Sequence, residues 1–457
     1  MHNHFGSTSQ TINSQKKERL FLNVPTLILL TFASAFFPRL LASIGFPSII
    51  NFAHFVLVPC TWAIAIATTR SKNRQQLAIV KELLWGLGIL FSCGVISAFW
   101  NGAGVINFLL SFLILSEPFM LLTAIIVIPL SHKSFTRLQT GIIIFLVFHL
   151  CLMYIQYGLG FCNLPGDCDN IQGVLYRSGG GHPVAASIAC CFALYNFAAK
   201  SQSIWLRSMV FVLGFITIQL ADAKQVVVMF VGAWILLTIL NIQNIRKTLI
   251  YLITLTIFLL VFTWAINNIE ALAAFKTWIR PELYGSDGEA TKFKLSGIRY
   301  VLSFFTSPIN WLVGLGPGHT VSRMGGWMMR DYGHLLDPLG ATSAPSGQYT
   351  SISQLVWYYT GQSWLAQGSS FFSPFWGWAG IWGDLGFLGL GAYLYLGFIV
   401  WRICPDNLSK VLLLTVVICG FIFTQMEEPA YMLTVATLIA LRWQKRRILR
   451  SPRISSE

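Results

Sequence analysis

Apolar runs of about twenty residues recur along this chain, separated by short polar or charged connections. About twenty apolar residues are what a helix needs to cross the hydrocarbon of a bilayer, where no water can satisfy an open backbone. The pattern therefore constrains the chain to an all-α integral membrane protein of about 12 transmembrane helices. Spans are expected at 20–37, 43–68, 79–99, 105–130, 138–157, 183–199, 204–220, 226–240, 249–266, 375–400, 411–424 and 430–441. The stretch 105–130 carries Glu117 and Pro118 at its middle and reads as one long span or as a surface helix followed by a span. Composition agrees: 55% of the 457 residues are hydrophobic and 11% charged, against about 25% charged in soluble domains. The segment 1–17 lacks the apolar core of a signal peptide, so the first run is expected to remain as a span.

The net charge of +14 would suit a nucleic-acid binder if it were gathered on a polar domain. Here the basic residues lie between apolar runs, so no nucleic-acid partner is expected and the charge reports topology. With the N-terminus inside, the inner connections and the tail collect most of the Lys and Arg, while the short outer connections carry only Arg39, Arg177 and Lys224. Both termini are thus expected to be cytoplasmic. One polar segment, 267–374, falls outside as a large extracytoplasmic loop between the ninth and tenth spans. A structureless loop of that length is uncommon, so short helices are expected in it. Apolar positions 295, 298, 301, 302 and 305 suggest one such helix, and 341–370, rich in Ser, Gly, Thr and Gln, is expected to be loop-like.

Several residues on that outer side could carry chemistry. Arg177, Lys224 and Arg299 sit near expected membrane boundaries, where a charge favours water, a partner or an anionic ligand. A pyrophosphate is such a ligand; snorkelling to lipid phosphates is the ordinary alternative. Tyr176-Arg177-Ser178-Gly179-Gly180-Gly181-His182-Pro183 combines glycines that admit close backbone approach with a proline suited to a first helical turn. Gly314-Leu315-Gly316-Pro317-Gly318-His319 is a tight turn and not a phosphate loop, because no Lys-Ser/Thr pair follows. His319 and His334 are candidate general bases. The loop is also rich in tryptophan and tyrosine, which suit sugar rings and equally suit an interfacial belt. Nine cysteines are present; Cys162 and Cys168 share one expected outer loop and could form a local disulfide. No Cys/His spacing matches a zinc site.

Three stretches, in this order on this topology, resemble the O-antigen ligase and O-antigen polymerase superfamily over most of the chain. Arg177 with Gly179 to Gly181, His182 and Pro183 is similar to the family's arginine, glycine and His/Asn-Pro stretch entering a helix. Arg299 followed by Gly314-Leu315-Gly316-Pro317-Gly318 is similar to its arginine-helix-glycine pattern. Gly383-Asp384-Leu385-Gly386-Phe387-Leu388-Gly389-Leu390 is similar to its acidic-Leu-Gly helix after the long loop. The chain departs from the family at Ala223-Lys224, where a Ser-Arg pair is usual, and at 369–376, which lacks the histidine that ligases carry there.

The resemblance implies metal-independent, cofactor-free glycosyl transfer on the outer face of a cell inner membrane. The donor would be a lipid-pyrophosphate-linked glycan and the acceptor a glycan or lipid. Arg177, His182, Lys224 and Arg299 would bind substrate, and His319 or His334, brought in by the fold, would serve as the catalytic base, or the base would be absent. A metal-dependent glycosyltransferase would place acidic residues in the first outer loop, and the residues around Pro38 and Arg39 include none. A transporter or flippase is the alternative from another class; it would favour paired broken helices in repeated halves.

Overall fold

The computed structural model describes residues 24–69, 73–162, 167–177, 180–199, 202–241, 245–269, 281–368 and 370–450, and every regular element among them is helical. Val24–Phe36 (α1) and Pro38–Ser43 (α2) lead into His54–Thr68 (α3), Arg74–Asn101 (α4), Val105–Val127 (α5) and His132–Gly158 (α6). Gly181–Phe197 (α7), Ile204–Leu220 (α8), Lys224–Leu240 (α9) and Ile245–Asn268 (α10) follow. Then come the shorter Pro281–Tyr284 (α11), Glu289–Ser303 (α12), Pro308–Val313 (α13), Met329–Leu336 (α14), Ile352–Gln362 (α15) and Trp364–Gly368 (α16). Gly377–Ile403 (α17), Asn407–Ile422 (α18) and Pro429–Arg450 (α19) close the chain. Among the described residues six helices are long and apolar enough to cross a membrane, and four more are apolar but shorter.

The helix ends follow from local chemistry. Asn73 caps α4 by accepting from the amides of Gln75 and Gln76, and Gly102 ends that helix in a left-handed conformation. Ser131 and Asp406 cap α6 and α18 in the same way. The stretch with Glu117-Pro118 is one continuous helix, α5, and it is buried along nearly its whole length. Packed against it, α19 is buried from Pro429 to Leu441. The last carbonyls of α5 would be orphaned inside the bundle; Gln76 donates to Ile126 and Gln444 to Ile125 and Ile128.

The segment after α10 does contain helices, as expected. The one predicted from the apolar spacing begins at Glu289 and buries Phe293, Gly297 and Val301. The stretch 341–370 is a correction: it contains α15 and α16. Ile352 and Val356, one helical turn apart and fully buried, pack with Val301, Val321 and Phe375, and this burial overrides a composition that reads as loop. Cys162 and Cys168 form the expected disulfide. Ser178 and Gly179 of the glycine stretch lie outside the described residues, as do 270–280 and the tail after 450.

Two of the motifs meet. α17 breaks at Gly386, whose φ of 65° and ψ of −169° only glycine adopts readily. The turn of 314–320 fills the break: Leu315 N donates to Gly383 O at 2.8 Å and Gly316 N to Asp384 O at 3.1 Å. The Asp384 carboxylate accepts from Gly318 N at 2.7 Å and from Thr320 N and Oγ1 at 3.0 and 2.6 Å. Asn101 and Asn107 hold the turn from the other side by donating to the carbonyls of Gly314 and Pro317.

Candidate functional site

Polar side chains gather where α7 starts. Gly180 stands just before that helix with φ of 67°, and a Cβ there would strike the Gln425 amide. Glycine thus lets the one-turn helix Thr424–Glu427, which joins α18 to α19, lie against the N-terminus of α7. The next side chain but one, His182, is buried, with Nε2 3.4 Å from Asp169 Oδ1. Lys224, the first residue of α9, is ion-paired with Asp222 and close enough to act electrostatically on both His182 and Asp169. Arg177 is exposed; its guanidinium lies 5.6 Å from the Tyr176 ring centroid, and Tyr176 stacks on Phe161. Arg177 and Asp222 are the two non-glycine residues with positive φ among the described residues, at 60° and 46°. Such backbone costs of order 1–3 kcal/mol and persists where surrounding structure enforces it.

A second group continues from the Thr424–Glu427 turn. Arg323 is ion-paired with Glu428, and its amide donates to Glu427 Oε2 at 3.1 Å. Burial, together with the nearby Asp384 charge, pushes the Glu427 carboxyl up to about 8, against the Arg323 amide and guanidinium. Buried and without a hydrogen-bond partner among the described residues are Thr424 Oγ1, Gln425 Oε1 and Glu427 Oε1, so this turn presents three unmatched polar atoms. Beyond it lies a cavity of about 40 Å³ lined in part by Arg39, Asn51, His54, Arg323, Tyr332 and Glu428. Arg39, on α2, lies 5.7 Å from the Tyr332 ring centroid and has no carboxylate partner among the described residues. The Tyr332 hydroxyl accepts from Asn51 Nδ2 at 3.0 Å. His54 Nδ1 faces the Glu117 carboxylate, 2.9 and 2.8 Å from its two oxygens.

Of the residues expected from sequence, His182 and Lys224 therefore come together, with Arg177 five residues before His182 on the same approach to α7. Arg299 is exposed on α12, and no described contact joins it to them. His319 is fully buried. Its Nδ1 lies 2.8 Å from Leu315 O, which can only accept, so Nδ1 donates; Nε2, 2.8 Å from Thr342 Oγ1, then accepts from that hydroxyl. Burial lowers its pKa to about 4, against the bond to Leu315, so the ring is neutral with both nitrogens in use. His334 is exposed in the last turn of α14.

Sequence reasoning did not assign Asp169, Asp222, Arg323, Glu428 or the His54–Glu117 pair. Glu117 had a legible mark, a carboxylate at the middle of an apolar run, where ionisable residues lean functional. Among the described residues no three His, Cys, Asp or Glu side chains form a metal-binding group. Comparison of the chain with protein-family models, with curated proteins and with solved structures finds no match in any of the three.

Proposed function

We propose that this chain is a multi-pass glycosyltransferase of the O-antigen ligase and polymerase type, with about twelve spans and both termini cytoplasmic. It joins a glycan carried on a lipid pyrophosphate to a glycan or lipid acceptor at the outer face of a cell inner membrane. The observation that carries this reading is the placement of strain. Asp222 is ion-paired with Lys224 in the group that includes His182 and Asp169, and Arg177, the other left-handed non-glycine residue among the described residues, lies five residues before His182. Enforced strain of that kind gathers at ligand clamps.

In this reading Lys224 and Arg177 hold the donor's pyrophosphate, and the amides at the N-terminus of α7 add a partial positive charge. Arg39 and Arg323 line the 40 Å³ cavity, Arg323 as the ion-pair partner of Glu428. Arg299 belongs to the proposal through its motif alone. His319, with both nitrogens engaged, positions the 314–320 turn. His334 is the exposed histidine of the loop. A transporter would be expected to use a broken helix to line its pathway; here the break in α17 is filled by the chain's own 314–320 turn, which favours the enzyme reading.

Binding of a polyprenyl pyrophosphate to the full-length protein in nanodiscs tests the clamp. Lys224→Ala and Arg177→Ala are each expected to weaken binding by about 10-fold to 100-fold, the value of a charge-assisted hydrogen bond. Affinity unchanged in both variants would contradict the proposal.

A further inference from the structure

We propose that His54, held by Glu117, is the general base that takes the proton from the acceptor hydroxyl; this rests on the glycosyl-transfer reading above. His54 is the first residue of α3 and Glu117 lies midway along α5, with 6% and 1% of their surfaces exposed. A carboxylate at that depth is retained only with a partner, and among the described residues that partner is His54. Both carboxylate oxygens face Nδ1, and a carboxylate can only accept, so the proton of a neutral ring sits on Nδ1. Nε2 is left as the basic nitrogen on a ring that cannot turn without losing its carboxylate.

His54 lines the 40 Å³ cavity together with Arg39, Arg323, Tyr332 and Glu428. At about 10–15 Å³ per water, that space admits a hydroxyl group and a water or two, not a sugar ring. The cavity thus fits an acceptor oxygen presented from outside it. Arg39, lacking a carboxylate among the described residues, places a cation at the same cavity, where negative charge develops as a pyrophosphate departs. Of the other buried histidines among the described residues, His182 faces Asp169 through Nε2 at the donor clamp, and the remaining two are spent. His319 has both nitrogens bonded, and His149 donates from Nε2 to Ala185 O while its Nδ1 accepts from Val174 N.

Nε2 of His54 takes the acceptor O–H proton, and the oxygen's electron pair forms the new bond to the anomeric carbon. The bond from that carbon to the pyrophosphate oxygen breaks, and its electrons leave with the lipid pyrophosphate. The imidazolium, stabilised by the Glu117 carboxylate, returns its proton to water. Glu117 is a positioning residue: it fixes the tautomer and supports the cation.

The test is the pH dependence of transfer by the full-length protein in proteoliposomes, with a lipid-pyrophosphate oligosaccharide as donor. Among the described residues the titratable and charged groups facing His54 are Glu117 from α5, Arg39 from α2, Arg323 and Tyr332 from the segment after α10, and Glu428 before α19, so the acid limb reports this set. His54→Gln is expected to lower kcat by about 10²-fold to 10⁴-fold, with little change in the donor KM, and to remove the acid limb. Glu117→Gln is expected to keep the hydrogen bond and lose the charge, which moves the acid limb to lower pH. Should His54→Gln fail to accumulate in the membrane, the Glu117→Gln shift decides by itself. Wild-type kcat in His54→Gln, or an acid limb unmoved in Glu117→Gln, would overturn the base assignment alone. No transfer by the wild-type protein would overturn the glycosyl-transfer reading and the base assignment with it.

Discussion

Asp384 holds Thr320 twice, through the amide at 3.0 Å and the hydroxyl at 2.6 Å, and so seals the break in α17 with the 314–320 turn. Asp384→Ala would leave buried donors of Gly318 and Thr320 unsatisfied, each at about 1–3 kcal/mol. Asp384→Asn keeps one acceptor oxygen. The alanine variant is therefore expected to unfold at clearly lower denaturant than the asparagine variant in detergent solution. Equal midpoints would show that the carboxylate bonds contribute nothing.

His319 provides a pH test of the same turn. Its folded pKa, lowered from 6.5 to about 4 by burial, lies below the unfolded value. The unfolded chain therefore binds more protons between those values. The stability that His319 contributes is complete above about pH 6.5 and declines as pH falls toward 4, by at most about 1.4 kcal/mol per pH unit. His319→Gln is expected to flatten the unfolding midpoint over that window and to lower activity per folded molecule by less than tenfold. A loss of activity as large as that of Arg177→Ala would return His319 to a catalytic role.

Lys294 donates to the carbonyls of Phe371, Ser373 and Ile422, and so ties the segment before α17 to the last residue of α18. Lys294→Met removes all three bonds while keeping an apolar stem under Trp376. Hydrogen exchange is expected to speed up at 371–376 and 422–425 and to stay unchanged in α5. Uniform acceleration along the whole chain would mean that Lys294 supports the entire bundle instead.

Gly180→Ala tests the contact between α7 and the Thr424–Glu427 turn. The substitution places a Cβ against Gln425 and forces alanine to φ of 67°. The expected result is a loss of pyrophosphate affinity at near-normal membrane levels, with Gln425→Ala restoring part of it. Unchanged affinity would separate this turn from the site.

The helices were legible because hydropathy and caps such as Asn73 and Asp406 are local properties of the chain. The helix α15 was not, since Ile352 and Val356 are two apolar positions in a polar stretch and gain their meaning only against Val301 and Phe375. At the site, Arg177, His182 and Lys224 stood out as polar residues at expected span ends, and two of them meet. The His54–Glu117 pair and the Arg323–Glu428 pair join residues far apart in sequence, and no periodicity announces such a contact.

The central claim is transfer from a lipid pyrophosphate, and reconstitution tests it most directly. Full-length protein in proteoliposomes is supplied with a lipid-pyrophosphate oligosaccharide and an acceptor glycan, and glycan product and released lipid pyrophosphate are measured together. The account predicts equal amounts of both, a loss of about 10²-fold or more in Arg177→Ala, and poor rescue by Arg177→Lys, whose ammonium cannot make the bidentate contact. Absence of product with the wild-type protein, or full activity in both Arg177→Ala and Lys224→Ala, would contradict it.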